Sequence, residues 1–346
     1  MMIRHIHYGL LLLLIGLIGA SGFRALAEKE IPIVKQHQPY TTDSITDVEW
    51  SPDYKLIATS QLDGTVIIRD NLGNILKTLI SDKQATYTIS WSPNGNQLAA
   101  GGLEPNIKIW DVAEGKIIQA IPAFAEGVFG LAWQPAGNVL LGSGFDYFRA
   151  WDTSTWQPLT KALSVTLYDM AWSPDSAQFA FAASNVGTAI IQKSGSVKVF
   201  TYAPQDDWTA PAFSVSWNST GIQLVSGGRD GTVRLWDAVS GKQIKLLLQA
   251  KPDEWIQGVS FDTVTDARVI AVSNKGQVYE IDLVTSQIQQ TEYDISELLK
   301  VDWNPIDNTI ALGGTSTEQT TSSASNLEPI SKSGVFKIIQ LDKKSN

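Results

Sequence analysis

The sequence predicts an all-β fold built from seven repeated units, and three observations carry that prediction. An aromatic residue returns every 39 to 45 residues, at Trp50, Trp91, Trp133, Trp172, Trp217, Phe261 and Trp303, a period that marks a repeat architecture. Turn-forming residues and a second apolar run follow each of these anchors. No stretch of helical period occurs, while 27 glycines supply turns and 43% of the residues are hydrophobic.

The elements of each unit follow in order. The anchors end the first strand, in VEWSPDY, ISWSPNG, LAWQPAG, MAWSPDS, VSWNSTG, VSFDTVT and VDWNPID. Pro presets position i+1 of a type I turn and Asp, Asn or Gly completes it, so the chain reverses directly after the anchor. A second strand comes at once: LIATS, QLAAGG, VLLGSG, QFAFAAS, QLVSGG, VIAVS and TIALGG. A third is clearest in TVIIRD, IKIWDV, FRAWDT, TVRLWD and QVYEID, and a fourth in ILKTLI, KIIQAI and KQIKLLL.

On these motifs the chain resembles the WD-repeat β-propeller family over essentially everything after the first 30 residues. The Trp-Asp pair stands at Trp110-Asp111, Trp151-Asp152 and Trp236-Asp237; the other units carry Arg69-Asp70, Phe200-Thr201, Ile281-Asp282 and Ile339-Gln340. The family's usual His before the first strand is missing from every unit, so its His-centred hydrogen-bond tetrad cannot form here. The resemblance implies a seven-bladed β-propeller of four-stranded antiparallel blades. One such sheet cannot bury both of its faces, whereas seven packed around an axis can. The anchors should therefore be wedged between neighbouring blades.

Residues 1–27 read as a signal peptide or membrane anchor, and 28–346 as the propeller. Arg4, His5 and His7 precede an apolar run from Gly9 to Ala20, and Ala25-Leu26-Ala27 offers a cleavage site. Uncleaved, the run from Tyr8 to Phe23 would be the only membrane contact, and it is slightly short of the ~18–20 residues that span a bilayer. Either way the propeller is expected outside the cytoplasm: secreted, periplasmic or on the cell surface. With no Cys there is neither a lipid-attachment cysteine nor a disulfide.

Composition then excludes classes of function. Removing residues 1–27 leaves 24 basic against 35 acidic side chains, which makes nucleic acid an unattractive partner. His37 is the only histidine beyond that segment, so a Ser-His-Asp triad has one position to use and His/Cys metal sites have none. No phosphate loop follows a strand into a helix. Asp63, Glu104, Asp146 and Asp230 fit turns better than acid-base pairs. The expectation is no enzyme, no cofactor and no metal; a lactonase-like or quinoprotein-like propeller enzyme and a structural envelope component are the competing readings.

What remains is a surface. The resemblance places the residue four before each anchor at the upper mouth of the central channel, where several family members bind peptides. These positions are Thr46, Tyr87, Phe129, Tyr168, Phe213, Gln257 and Leu299. Among tryptophans outside the repeat frame, Trp208 and Trp255 lie in the loops leading into the fifth and sixth blades, on that same face, and Trp156 lies on the lower one. Asp206, Asp207, Asp253 and Glu254 flank them. Rings inside an acidic rim favour a protein or peptide partner bearing cations.

Two insertions break the period, at residues 185–195 and 315–333, and both are expected to be upper-face loops. The last blade lacks a fourth strand in the sequence frame. Ile31 to Lys35 should supply it beside Phe336 to Leu341, closing the ring.

Overall fold

The computed structural model describes residues 44–80, 84–145, 147–160, 163–164, 167–183, 187–192, 197–200, 211–293, 295–317 and 332–341. They form a seven-bladed propeller with no helix among them. Each blade is an antiparallel meander in chain order, six of four strands and the seventh of three. The innermost strands are Ile45–Trp50, Thr86–Trp91, Gly130–Trp133, Leu167–Trp172, Ala212–Trp217, Ile256–Phe261 and Glu297–Asn304. Each packs against the next, and that of blade 7 packs against that of blade 1, so the ring is closed.

The turns form for the reasons that the sequence suggests. In blade 1, Ser51 Oγ donates to Asp53 Oδ1 at 2.8 Å, while the amides of Lys55 and Leu56 donate to Asp53 Oδ1 and Ser51 Oγ. The same arrangement recurs at Ser92 with Asn94 and at Ser173 with Asp175. Asp70, Asp111, Asp152, Asp237 and Asp282, in the dipeptide position, accept amides of the turn into the fourth strand. These are Asx turns, which satisfy orphan amides without longer loops.

Seven apolar clusters lie between successive blades, and the anchors sit in them. Six anchors are buried; Trp172 is partly so. The indoles of Trp91, Trp172 and Trp217 donate to the carbonyls of Glu49, Ala132 and Ala171, each the residue before the preceding blade's anchor. Burial between sheets, plus a bond into the neighbouring blade, makes these three anchors rivets between blades, whereas the buried indoles of Trp50 and Trp303 find no partner among the described residues.

Trp236 Nε1 donates to Ser226 Oγ at 2.9 Å, both buried. In blade 2 the corresponding position is Ala100, and Trp110 Nε1 has no partner among the described residues. Arg69 takes the tryptophan's place in blade 1, with its guanidinium 4.7 Å from the centroid of Phe336 in blade 7.

The seam between blades 7 and 1 is the thinnest. Its core is Val48, Trp50, Ile57 and Ala311 with Tyr54, Phe336 and Ile338 packed against it. A cavity of about 440 Å³ opens beside it, lined by Ile45, Gln61, Arg69, Leu72, Gly73, Gly334, Phe336 and Ile338. The third strand of blade 7, Lys332–Gln340, is the outer edge of its sheet among the described residues. Residues 31–35, expected to pair with it, lie outside the described residues, as do 1–27 and His37.

Two expectations about insertions are corrected. In blade 4 the segment Gly187–Gln192 is itself the third strand, and Val197–Phe200 is the fourth rather than the third. Its Ala189 and Ile190 are buried, and β-branched residues at that density suit a packed strand. In blade 7 the hairpin Thr309–Thr317 with Lys332–Gln340 pairs as far as Thr317 with Lys332, so the strands run into the segment read as a loop. Residues 318–331 lie outside the described residues.

Candidate functional site

The innermost strand of each blade is a sheet edge facing the central channel, and its amides need partners. The preceding blade supplies them through two side chains. The residue three before an anchor accepts the amide two before the next anchor: Asp47 from Ile89, Thr88 from Leu131, Asp169 from Val215 and Ser214 from Val259. The residue directly before an anchor accepts the next anchor's own amide: Glu49 from Trp91, Ser90 from Trp133, Ser216 from Phe261 and Asp302 from Trp50. Short acceptors at alternate positions on a strand point the same way, which is why one pattern can serve several blades.

Four of these acceptors are carboxylates, and they line a channel cavity of about 450 Å³ together with Lys300. Lys300 Nζ lies 3.2 Å from Asp169 Oδ1. Burial raises Asp47, raises Glu49 well above the usual carboxylate range, and pushes Asp302 up to about 6. Asp47 and Asp302 repel Glu49 and add to its rise. Burial alone would weaken the Lys300 ammonium, but Asp169, Asp47 and Glu49 outweigh it and hold the lysine above its ordinary value. With backbone amides, the Ser214 hydroxyl and one lysine as their partners, these carboxylates tie neighbouring blades together.

The upper rim is different. In six blades the innermost strand carries a bulge at the residue four before the anchor: Thr46, Tyr87, Tyr168, Phe213, Gln257 and Leu299 are each skipped in the pairing. A bulge re-aims its side chain out of the ladder, so the resemblance's rim positions have a backbone cause. In blade 3 the equivalent Phe129 precedes the paired strand, its amide donating to Ser143.

The rim aromatics form two groups. Tyr87 stacks on Phe129 at 5.1 Å, and Phe129 meets Phe145 at 6.4 Å. Tyr168 meets Phe213 edge-on at 5.3 Å, and Phe213 meets Trp255 at 6.3 Å. Among the described residues no ring contact joins Phe129 to Tyr168. Trp255 is half-buried rather than freely exposed, folded toward the preceding blade's Phe213. Asp206, Asp207 and Trp208 lie outside the described residues.

Glu254 corrects the acidic rim. It is 4% exposed and accepts the Tyr279 hydroxyl at 2.7 Å, so it is turned into blade 6 and not toward a ligand. Asp253 is exposed, at a turn where its φ is +63°, a conformation that Asp tolerates better than most residues. Two rim residues escape a search of the loops leading into the blades: Phe145 and Arg229. Both occupy turns between second and third strands, the other loops that reach this face.

The chain is similar to known proteins of one kind. Residues 48–136 match the family described as the anaphase-promoting complex subunit 4 WD40 domain, and residues 197–237 match the WD domain, G-beta repeat. The COMPASS component SWD3 of Saccharomyces cerevisiae is 24% identical over 59% of this chain and 54% of that protein. Protein tipD of Dictyostelium discoideum is 25% identical over 60% of this chain and 35% of its own length. Nucleoporin SEH1-B of Xenopus laevis is 28% identical over 67% of this chain and 64% of that protein. The chain thus spans about half or less of the first two relatives. These similarities overturn the expectation of export, because the relatives, a nucleoporin among them, are intracellular proteins.

Proposed function

For a chain that belongs to the WD-repeat β-propeller family, we propose the role of a non-catalytic scaffold that binds protein or peptide through its upper face. The observation that carries this reading is one rim where bulges set Tyr87, Tyr168 and Phe213 and the residue before the blade 3 strand sets Phe129, so that Tyr87 meets Phe129 and Tyr168 meets Phe213. Tyr87, Phe129 and Tyr168 are partly exposed, while Phe213 is buried, 7% exposed. Partly exposed aromatics over a rigid ring are what recognition surfaces use, since they offer large contact area for little lost side-chain entropy. Membership in assemblies, as the names of a COMPASS component and a nucleoporin indicate for those relatives, supports the same reading.

Peptides selected from a display library against the full chain test it. Tyr168→Ala or Trp255→Ala should weaken the selected peptides by roughly 2 kcal/mol, as for a hot spot. Val284→Ser, at an exposed lower-face turn, should not. Peptides that lose affinity with Val284→Ser and keep it with both aromatic variants would place recognition on the other face.

A further inference from the structure

On the upper surface over blades 5 and 6, an arginine lies against the Trp255 ring. Arg229, in the turn between the second and third strands of blade 5, holds its guanidinium 4.9 Å from the centroid of the Trp255 ring. Among the described residues its side chain makes no ion pair and no hydrogen bond. The adjacent carboxylate, Asp230, is engaged by Arg234 at 2.7 Å and accepts from Thr232 as well. Asp230 is therefore not free to answer Arg229.

The equivalent turn of blade 6 brings a second cation. Asn274 and Trp255 exchange two hydrogen bonds, amide to carbonyl at 3.1 Å and amide to side-chain oxygen at 2.8 Å. That pair ties the turn that carries the exposed Lys275 to the backbone of Trp255. Lys251, also exposed, begins the turn that leads to Glu254. Neither lysine has an ion pair among the described residues. Among the described residues two exposed carboxylates stand against these three cations: Asp253, and Glu292 at the upper end of blade 6's fourth strand, where it pairs with Gln277; Glu254 is buried against Tyr279.

Resting on the upper-face reading, we propose that the patch of Tyr168, Trp255 and Arg229, backed by the buried Phe213, binds an acidic peptide, with a carboxylate on the Arg229 fork and an apolar side chain against Trp255. A guanidinium laid over an indole keeps its N–H edge free, and that edge matches a carboxylate in bidentate geometry. Lys275 and Lys251 extend the attraction to neighbouring acidic residues of the same peptide. The preference for cations expected from the lead-in loops is thereby reversed. A short acidic segment suffices, because local charges act within about a Debye length of roughly 8–10 Å. A long polyanion would also meet the chain's overall charge of −9.

The test uses the full chain and two fluorescein-labelled pentapeptides, Glu-Glu-Phe-Glu-Glu and Lys-Lys-Phe-Lys-Lys, followed by fluorescence polarisation at low and moderate salt. The acidic peptide should bind at least tenfold more tightly, and added salt should weaken it. Arg229→Glu should reverse the order, and Lys275→Glu should weaken the acidic peptide several-fold. The proposal falls if the lysine peptide binds more tightly, if the preference survives Arg229→Glu, or if the acidic peptide shows no binding up to about 1 mM. It falls too if the acidic peptide binds only after Asp206→Asn with Asp207→Asn, since Arg229 would then be answered from within the chain. A lysine peptide that binds tightly and is lost in Trp255→Ala would leave the upper-face reading standing and remove only the assignment of charge.

Discussion

Lys300 of blade 7 and Asp169 of blade 4 meet across the central channel, 131 residues apart in sequence, at 3.2 Å. Asp169 also accepts the Ser214 hydroxyl at 2.8 Å and the Val215 amide at 3.1 Å. One carboxylate thus ties blade 4 to its neighbour and to a blade nearly opposite. The lysine is also the countercharge of Asp47 and Glu49, so four acidic groups around the channel depend on a single cation.

Lys300→Met should therefore destabilise the propeller by roughly 3 kcal/mol, the lower part of the range for breaking a buried pair. The lower part applies because a quarter of the lysine side chain still faces the channel. Urea melts at pH 7 measure the loss, and it should shrink at acid pH as the carboxylates protonate. Adding Asp169→Asn to the variant should restore part of it. A melt unchanged at pH 7 would mean that the cation is dispensable.

Asp302 gives the seam between blades 7 and 1 a pH dependence. Its folded-state pKa is raised from 3.8 to about 6, so the folded chain binds this proton more tightly than the unfolded one. The stability it contributes is complete below about pH 4 and declines as pH rises through about 6. Asp302→Asn keeps an oxygen for the Trp50 amide and cannot ionise. Its melting temperature relative to the parent should rise between pH 4 and pH 7, and a difference that is flat or falls over that window would contradict the assignment.

Ala100→Ser should stabilise blade 2. Ser226 accepts the Trp236 indole in blade 5, while the equivalent Trp110 Nε1 is buried without a partner among the described residues. A hydroxyl there should contribute about 1 kcal/mol in thermal or urea unfolding. Ser226→Ala should cost at least as much, since it strands a buried donor.

Deleting residues 28–36 should lower the melting temperature sharply. We propose that Ile31 to Lys35 pair with the outer edge of Lys332–Gln340, where the sheet of blade 7 has three described strands and a cavity opens beside Phe336 and Ile338. An added strand would cover that edge, as edges otherwise invite other chains. An unchanged melt would assign ring closure to the Asp302 to Trp50 contact and the small apolar seam alone.

The sequence by itself determined the number of blades, their inner three strands in most units, and the anchors. Each of those is a local pattern repeated at one spacing: the alternation of a strand, the Ser-Pro-Asp turn, and an aromatic such as Trp91 or Trp217 that must be buried. Tyr87, Phe129, Tyr168 and Phe213 became candidate rim residues through the family resemblance, which supplied one fixed offset from the anchor. Blade 4 was less legible, because Gly187–Gln192 lacks the Trp-Asp signature although its Ile190 is buried as a strand requires. Only the tertiary structure decided what surrounds each polar group. Glu254 turns inward because Tyr279, on a different strand, offers a buried hydroxyl. Arg229 reaches Trp255 because two turns distant in sequence rise to the same face. Lys300 finds Asp169 only when the ring closes. A side chain's charge is written in the sequence, but whether it is free, paired or buried depends on neighbours that come from other blades, and no local pattern encodes those distances.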